Sequence, residues 1–145
     1  MDERAKRKRI LVVDDDERVV RFLYLKLKVA GYDVITAANG HEGLKLTESA
    51  SPDIMVLDLM MPIMDGFEVL RRLHCGSNLP VIVLTARADA CEEALRLGAS
   101  DFMAKPFNPD DLVKRIQALL GQTHRREQTR LSGPPLAARQ REEEG

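Results

Sequence analysis

The 145-residue sequence predicts an α/β fold, a doubly wound parallel sheet within a single domain. Short runs that are apolar on both faces alternate five times with segments of helical periodicity. Such strands are typical of a parallel sheet covered by helices on both sides. Hydrophobic residues make up 44% and charged residues 31% of the chain, which is the balance of a globular protein and excludes a wholly disordered one.

Two strand–helix pairs occupy the first fifty residues. The run Ile10–Val13 predicts the first strand, and Gly31 stands where a left-handed helix cap is expected. The helix between them is predicted from apolar residues at helical spacing: Val19, Val20, Leu23, Leu27 and Ala30. Val34–Ala37 predicts the second strand, and Gly43–Ala50 the second helix.

The third pair surrounds a loop that is rich in turn-forming residues. Ile54–Leu57 predicts the third strand, and Met60–Gly66 reads as a loop because it contains proline and glycine. Asp65 is a plausible helix cap, with Glu68 three residues later, and predicts the start of a helix over Phe67–Leu73.

The last two pairs complete the sheet. Val81–Leu84 predicts the fourth strand, Asp89–Leu97 the fourth helix and Asp101–Ala104 the fifth strand. Asn108 caps the last predicted helix, with Pro109 at its first position. An apolar stripe faces the core from this helix: Val113, Ile116, Leu119 and Leu120.

Composition divides the chain into a charged leader (residues 1–8), a folded body (9–120) and a flexible linker or disordered tail (121–145). The tail has four apolar residues, too few to compensate for the entropy lost on ordering. The alternative interpretation of this tail is a frayed extension of the last helix.

The folded body is acidic. Between Ile10 and Leu120 there are 12 basic and 17 acidic residues, which does not favour a DNA-binding body.

Other features exclude several classes of protein. No apolar run approaches the roughly 20 residues that span a bilayer, so no membrane partner is expected. The first nine residues are too charged for a secretory signal. Two cysteines, Cys75 and Cys91, cannot form a disulfide framework and suit a cytoplasmic location. Neither glycine-rich nucleotide fingerprint is present.

Reactive side chains follow four of the five predicted strands, at the edge where ligands bind in open parallel sheets. These are Asp14–Asp16, Asp58, Thr85 and Lys105. Clustered carboxylates repel one another, and Mg²⁺ is a hard cation that relieves the repulsion. A threonine and a lysine suit the oxygens of a phosphoryl group, and a carboxylate can itself become an aspartyl phosphate.

Each of these residues also has an ordinary structural interpretation when it is taken alone. Asp14–Asp16 fits a solvated turn in which Asp16 caps the first helix, and Asp58 fits a polar residue that ends a strand. Thr85 and Lys105 fit structural or surface positions. Their occurrence together at successive strand ends favours the chemical interpretation.

Four segments resemble the signature of bacterial two-component response regulators in their receiver (CheY-like) domain. These are Ile10-Leu-Val-Val-Asp-Asp-Asp16, Val56-Leu-Asp-Leu-Met-Met-Pro-Ile-Met-Asp-Gly66, Val83-Leu-Thr-Ala86 and Lys105-Pro-Phe107. The resemblance covers about residues 8–121. It implies a flavodoxin-like (βα)5 fold with strand order 2-1-3-4-5.

The resemblance also implies roles for individual residues. Asp58 would be the phosphoacceptor, and Mg²⁺ would be held by Asp14, Asp15, Asp58 and the backbone carbonyl of Met60. Asp14 would act largely through water.

The phosphoryl group would be bound by Thr85 and Lys105, with the small residue Ala86 leaving room beside it. Thr85 and Phe102 would form the switch, although Phe102 also fits an ordinary core position. Lys105-Pro106 matches a peptide bond that is usually cis in the family. Two positions would tune the rate of dephosphorylation: Met60 and Arg87.

The function implied is a phosphorylation-dependent signalling switch, phosphorylated by a sensor histidine kinase, a phosphotransfer protein or a small phosphodonor. It would not be an enzyme, because it would catalyse only its own phosphorylation and dephosphorylation. Its output surface would be residues 89–120 or so, through which a phosphorylation-linked homodimer is expected.

The segment from Lys105 to Leu120 resembles the DNA-binding subfamily, in which DNA would be contacted only through an effector domain absent from this chain. The alternatives are a stand-alone receiver and a phosphorelay or interaction module. A more remote one is a phosphohydrolase of the haloacid-dehalogenase type, whose motif Asp14-x-Asp16 mimics, although Arg18 departs from it.

Overall fold

The computed structural model describes the backbone of residues 7–132 and the side chains of residues 7–121. Five parallel strands form one sheet in the order β2-β1-β3-β4-β5, which confirms the predicted class and strand order. The strands are β1 (Arg9–Val13), β2 (Asp33–Ala37), β3 (Ile54–Asp58), β4 (Val81–Thr85) and β5 (Asp101–Ala104). Residues 1–6 of the predicted leader and 133–145 of the predicted tail lie outside the described residues.

Helices cover both faces of the sheet. They are α1 (Glu17–Val29), α2 (Gly40–Ser49), α3 (Gly66–His74), α4 (Cys91–Arg96) and α5 (Pro109–Ser132). Alternate strand residues point to opposite faces, so each strand contributes to two cores. One core joins β1 and β3 to α2, α3 and α4, and the other packs the same strands against α1 and α5. This two-sided burial explains why the central strands β1, β3 and β4 are almost wholly apolar.

The largest differences from the predicted helix boundaries occur in α2, in the fourth helix and in α5. Helix α2 begins at Gly40 rather than Gly43, because the Asn39 side chain accepts a hydrogen bond from Glu42 N and the Glu42 carboxylate accepts one from Ala38 N. The fourth helix starts as a 3₁₀ turn over Ala88–Ala90. Helix α5 continues past residue 120 to Ser132. None of the helices described over residues 7–132 combines the length and the apolar composition that a membrane span requires.

The loop between β3 and α3 contains a strained turn. Met64 N donates to Pro62 O at 2.8 Å, and the residue between them, Ile63, has a φ of 69°. This is the rarer form of γ-turn, and its left-handed backbone is unfavourable for a β-branched residue. The Ile63 side chain is 99% exposed, so it gains no packing energy in return.

We expect the substitution Ile63→Asn to increase the free energy of unfolding by about 1 kcal/mol, because asparagine tolerates the left-handed region better. Urea denaturation measures the effect. The control is Val29→Asn, which removes another exposed β-branched side chain from a helical position. Equal changes in both variants would contradict strain at Ile63.

Candidate functional site

The strand register brings the predicted site residues to one edge of the sheet. Asp58, the last residue of β3, lies opposite Leu84 of β4. Thr85 follows Leu84 and lies opposite Ala104, after which the chain continues to Lys105. Asp14 directly follows β1, the neighbour of β3 on its other side. All four residues therefore lie at the carboxyl edge of the sheet, where ligands bind in open parallel sheets.

Three carboxylates form a compact acidic cluster. Asp14, Asp15 and Asp58 each offer an oxygen, and these oxygens lie within 4.8 Å of one another. Asp14 is 2% exposed and Asp58 5% exposed, whereas Asp15 is open to solvent. Asp14 is oriented by Asp16, whose backbone N–H donates to Asp14 Oδ1 at 2.9 Å. Asp16 itself caps α1, as its ordinary interpretation predicted.

Lys105 is the cation nearest to the buried acids. Its Nζ lies 3.4 Å from Asp14 Oδ2 and 3.6 Å from Asp58 Oδ1. The pKa of Asp58 is nevertheless raised to about 6, first by burial and then by the charge of Asp14. A hydrogen bond from Met60 N and the charge of Lys105 oppose that rise. The cluster thus carries more negative charge than Lys105 neutralises.

The donor set fits a small divalent cation. All three ligand atoms are carboxylate oxygens, which hard cations such as Mg²⁺ prefer. Opposite ligands of an Mg²⁺ are about 4.2 Å apart, close to the 4.8 Å within which these oxygens lie. Met60 contacts Asp58 through its N–H, at 3.2 Å from Oδ1. The predicted ligand role of its carbonyl stays a prediction.

Thr85 is fully buried at the end of β4. Its Oγ1 accepts a hydrogen bond from Arg87 N at 3.0 Å, and its carbonyl accepts one from Lys105 N at 2.8 Å. Phe102 pairs with Val83, and Thr85 pairs with Ala104. Because residues two positions apart on a strand point to the same face, Phe102 lies on the same face of the sheet as Thr85. It is partly buried against the α3–α4 side of the core. The Lys105–Pro106 peptide bond is cis, as the resemblance implied.

Two further predicted positions border this edge. Ala86 is exposed directly after Thr85. The Arg87 guanidinium forms an exposed ion pair with Asp89, with Nη2 2.7 Å from Oδ2 and Nε 3.3 Å from Oδ1. This pairing lowers the pKa of the Asp89 carboxyl through the hydrogen bond and the Arg87 charge. Sequence alone did not reveal the pair.

Gly66 is a site residue whose role the sequence did not show. A Cβ at this position would lie 2.6 Å from Leu59 Cα and 2.7 Å from Asp58 O. The start of α3 therefore packs directly on the backbone of the predicted acceptor. The Asp65-Gly66 pair indicated only a helix start, and Asp65 does cap α3 by accepting from Glu68 N.

We expect Gly66→Ala to lower the free energy of unfolding by about 1–3 kcal/mol, because the added methyl group meets backbone atoms that cannot rotate away. Chemical denaturation measures the loss. Gly76→Ala is the matched control, since nothing lies within 4 Å of a Cβ there. A Gly66→Ala variant as stable as Gly76→Ala would argue against the close approach.

The fold and this edge together define a class of signalling module. Residues 10–117 match the family model of the response regulator receiver domain. The chain belongs to the response regulator receiver domain family, which favours this interpretation over the haloacid-dehalogenase alternative.

Among its relatives is the alkaline phosphatase synthesis transcriptional regulatory protein PhoP of Bacillus subtilis. The two are 45% identical over 116 residues, which are 78% of this chain and 48% of PhoP. The chain thus spans about half the length of this relative.

Solved structures agree with the family match. A CheY-like receiver domain protein from Methanospirillum hungatei superposes with a TM-score of 0.79 and is 31% identical, over 83% of this chain and 98% of that one. The response regulator TrrA of Thermotoga maritima, solved in complex with Mg(2+)-BeF, has a TM-score of 0.72 and 34% identity. It covers 77% of this chain and 98% of its own.

Proposed function

We propose that this chain is a phosphorylation-dependent switch whose phosphoacceptor is Asp58. The observation that carries the proposal is a buried carboxylate beside both an acidic pair and an ammonium. An Asp58 oxygen lies within 4.8 Å of oxygens of Asp14 and Asp15, and Asp58 Oδ1 lies 3.6 Å from Lys105 Nζ. The phosphoryl donor is a sensor histidine kinase or a histidine phosphotransfer protein. The chain acts only on itself, through its own phosphorylation and dephosphorylation.

Mg²⁺ is the proposed cofactor. Asp14, Asp15, Asp58 and the carbonyl of Met60 would hold it, with Asp14 acting largely through water. When bound, Mg²⁺ neutralises the charge of the carboxylates and of the phosphoryl oxygens. The oxygen-only donor set supports this assignment, and so does the Mg(2+)-BeF complex of the Thermotoga relative.

Phosphoryl transfer requires an ionised Asp58. With its pKa near 6, this carboxyl is mostly ionised at neutral pH even without a metal. One carboxylate oxygen attacks phosphorus in line and forms the O–P bond as the P–N bond to the donor histidine breaks. The electron pair of that bond leaves with the imidazole nitrogen, which takes up a proton. Lys105 pairs with a phosphoryl oxygen, and Ala86 leaves room for the group.

Thr85 links the acceptor to the rest of the domain. Its Oγ1 accepts a hydrogen bond from Arg87 N, and we propose that Thr85 gives up this bond as its side chain rotates to bring the hydroxyl to a phosphoryl oxygen. The bond from Lys105 N to Thr85 O joins this movement to β5, which carries Phe102. The surface that changes is therefore the one after β4, about residues 89–120. We propose that this surface forms a phosphorylation-linked homodimer, and that Met60 and Arg87 set the lifetime of the phosphorylated state.

The output of the whole protein is proposed from its relatives. Since PhoP is a transcriptional regulator and this chain spans 48% of its length, we propose transcription regulation, with DNA contacted by an effector domain outside these residues. A cytoplasmic location agrees with the free thiols of Cys75 and Cys91.

Phosphorylation by a small donor tests the site without a kinase. Incubation of the chain with phosphoramidate and Mg²⁺ should add the mass of one phosphoryl group, measured by intact mass spectrometry. Chelation of the cation with EDTA should slow this uptake at least tenfold, because the phosphoryl charge then faces uncompensated carboxylates. Uptake at the same rate in EDTA would refute the role of Mg²⁺.

A further inference from the structure

We propose that Ile63, together with Met60, forms an apolar contact for the protein that delivers the phosphoryl group. This inference rests on the proposed function of Asp58. Met60 is 49% exposed and Ile63 is 99% exposed, although both are large apolar side chains. Both belong to the loop that follows the acceptor strand. The two residues are called the acceptor rim below.

The loop holds the acceptor rim in a fixed position. Met61 and Met64 are buried in the core on either side of the γ-turn. Gly66 N donates to Leu59 O at 3.0 Å and closes the base of the loop. Ile63 is therefore displayed by an anchored loop rather than by a frayed one.

Neither packing nor backbone geometry accounts for isoleucine at this position. The side chain buries almost no surface, and a φ of 69° disfavours a β-branched residue. A residue that is unfavourable for the isolated domain indicates a role in an interaction. Met60 and Ile63 stand three residues apart in one loop, and exposed apolar side chains that are grouped on a surface are characteristic of protein contact sites.

The position of the rim identifies its partner. Met60 N–H donates to Asp58 Oδ1, so the rim begins at the acceptor carboxylate itself. A protein that brings a phosphohistidine to Asp58 must approach this edge of the sheet and cover the loop. A small phosphodonor reaches the carboxylate without doing so. We therefore assign the rim to an apolar surface beside the phosphohistidine of the donor protein.

The experiment compares two donors on the same chain. One is phosphoramidate. The other is the phosphorylated cytoplasmic part of a histidine kinase, selected because it transfers its phosphoryl group to the wild-type chain. We expect Ile63→Asn and Ile63→Gly to slow transfer from the kinase at least tenfold and to leave phosphoramidate uptake within twofold. The control is Val29→Asn, an exposed apolar position at the opposite end of the sheet, which should change neither rate.

Several results would overturn the inference. One such result is that the kinase transfers its phosphoryl group to both Ile63 variants at the same rate as to the wild-type chain. Equal losses with both donors would assign Ile63 to the integrity of the site, not to docking. A wild-type dimer that Ile63→Asn dissociates, with transfer unchanged, would assign the rim to a second copy of the chain. Failure of the proposed function has a different signature, since phosphoramidate would then leave wild-type Asp58 unlabelled and no kinase that labels Asp58 would be found, and the inference would fall with it.

Discussion

Replacement of Asp58 by asparagine should abolish phosphoryl uptake from phosphoramidate and Mg²⁺. The amide has the same shape as the carboxylate and can still accept the hydrogen bond from Met60 N, but it lacks the charged nucleophilic oxygen. Intact mass spectrometry should show no added phosphoryl group in Asp58→Asn over the time that saturates the wild-type chain.

Asp16→Asn is the matched control for this loss. Asp16 lies in the same acidic run, but its side chain caps α1 through Arg18 N, a role that asparagine performs equally well. This variant should be labelled as fast as wild type. Undiminished labelling of Asp58→Asn, or loss of labelling in Asp16→Asn alone, would refute Asp58 as the acceptor.

The same substitution should increase stability in a manner that depends on pH. The folded protein raises the pKa of Asp58 from 3.8 to about 6, chiefly by burial, so ionisation opposes folding. The protonated Asp58 carboxyl therefore makes its whole contribution to the free energy of unfolding of the wild-type protein below pH 4, and this contribution is lost as the pH rises through 6. Without Mg²⁺, Asp58→Asn should exceed wild type by at most roughly 3 kcal/mol above pH 7 and match it below pH 4. Urea titrations in EDTA at several pH values measure this difference.

Local patterns of residues predict most of the strands and helices of this fold. The apolar runs at the centre of the sheet became β1, β3 and β4, because strands buried on both faces are apolar along almost their whole length. The edge strands β2 and β5 are only partly buried and contain polar residues. The edge that carries Asp14, Asp58, Thr85 and Lys105 followed from one topological fact, since parallel strands end on the same side. The strand order required the resemblance to a known family.

Other features depend on contacts between distant residues and could not be predicted. Helix α2 begins three residues early because the Asn39 side chain accepts from Glu42 N while the Glu42 carboxylate accepts from Ala38 N. The role of Gly66 depends on a backbone eight residues away, at Asp58. The left-handed conformation of Ile63 contradicts its own local preference, because the buried methionines on either side constrain the loop.

Replacement of Lys105 by alanine should leave the domain folded and weaken its switching. The ammonium lies 3.4 Å from Asp14 Oδ2 and 3.6 Å from Asp58 Oδ1, within reach of a phosphoryl oxygen on Asp58. The backbone N–H of residue 105 donates to Thr85 O, and this hydrogen bond does not depend on the lysine side chain, so β5 should keep its register. Without the ammonium, the phosphorylated state loses a charge-assisted hydrogen bond that the unphosphorylated state does not need.

The readout for Lys105→Ala is the amide NMR signal of Arg87, which reports whether Thr85 Oγ1 still accepts its hydrogen bond. Saturating phosphorylation should shift this signal fully in wild type and only partly in the variant. Lys45→Ala removes an exposed ammonium from α2 and should behave as wild type. A labelled Lys105→Ala chain with the full shift, or with undiminished dimer formation, would show that the ammonium does not couple Asp58 to Thr85. Since the coupling is measured only in labelled chains, slower labelling of the variant cannot be mistaken for a loss of coupling.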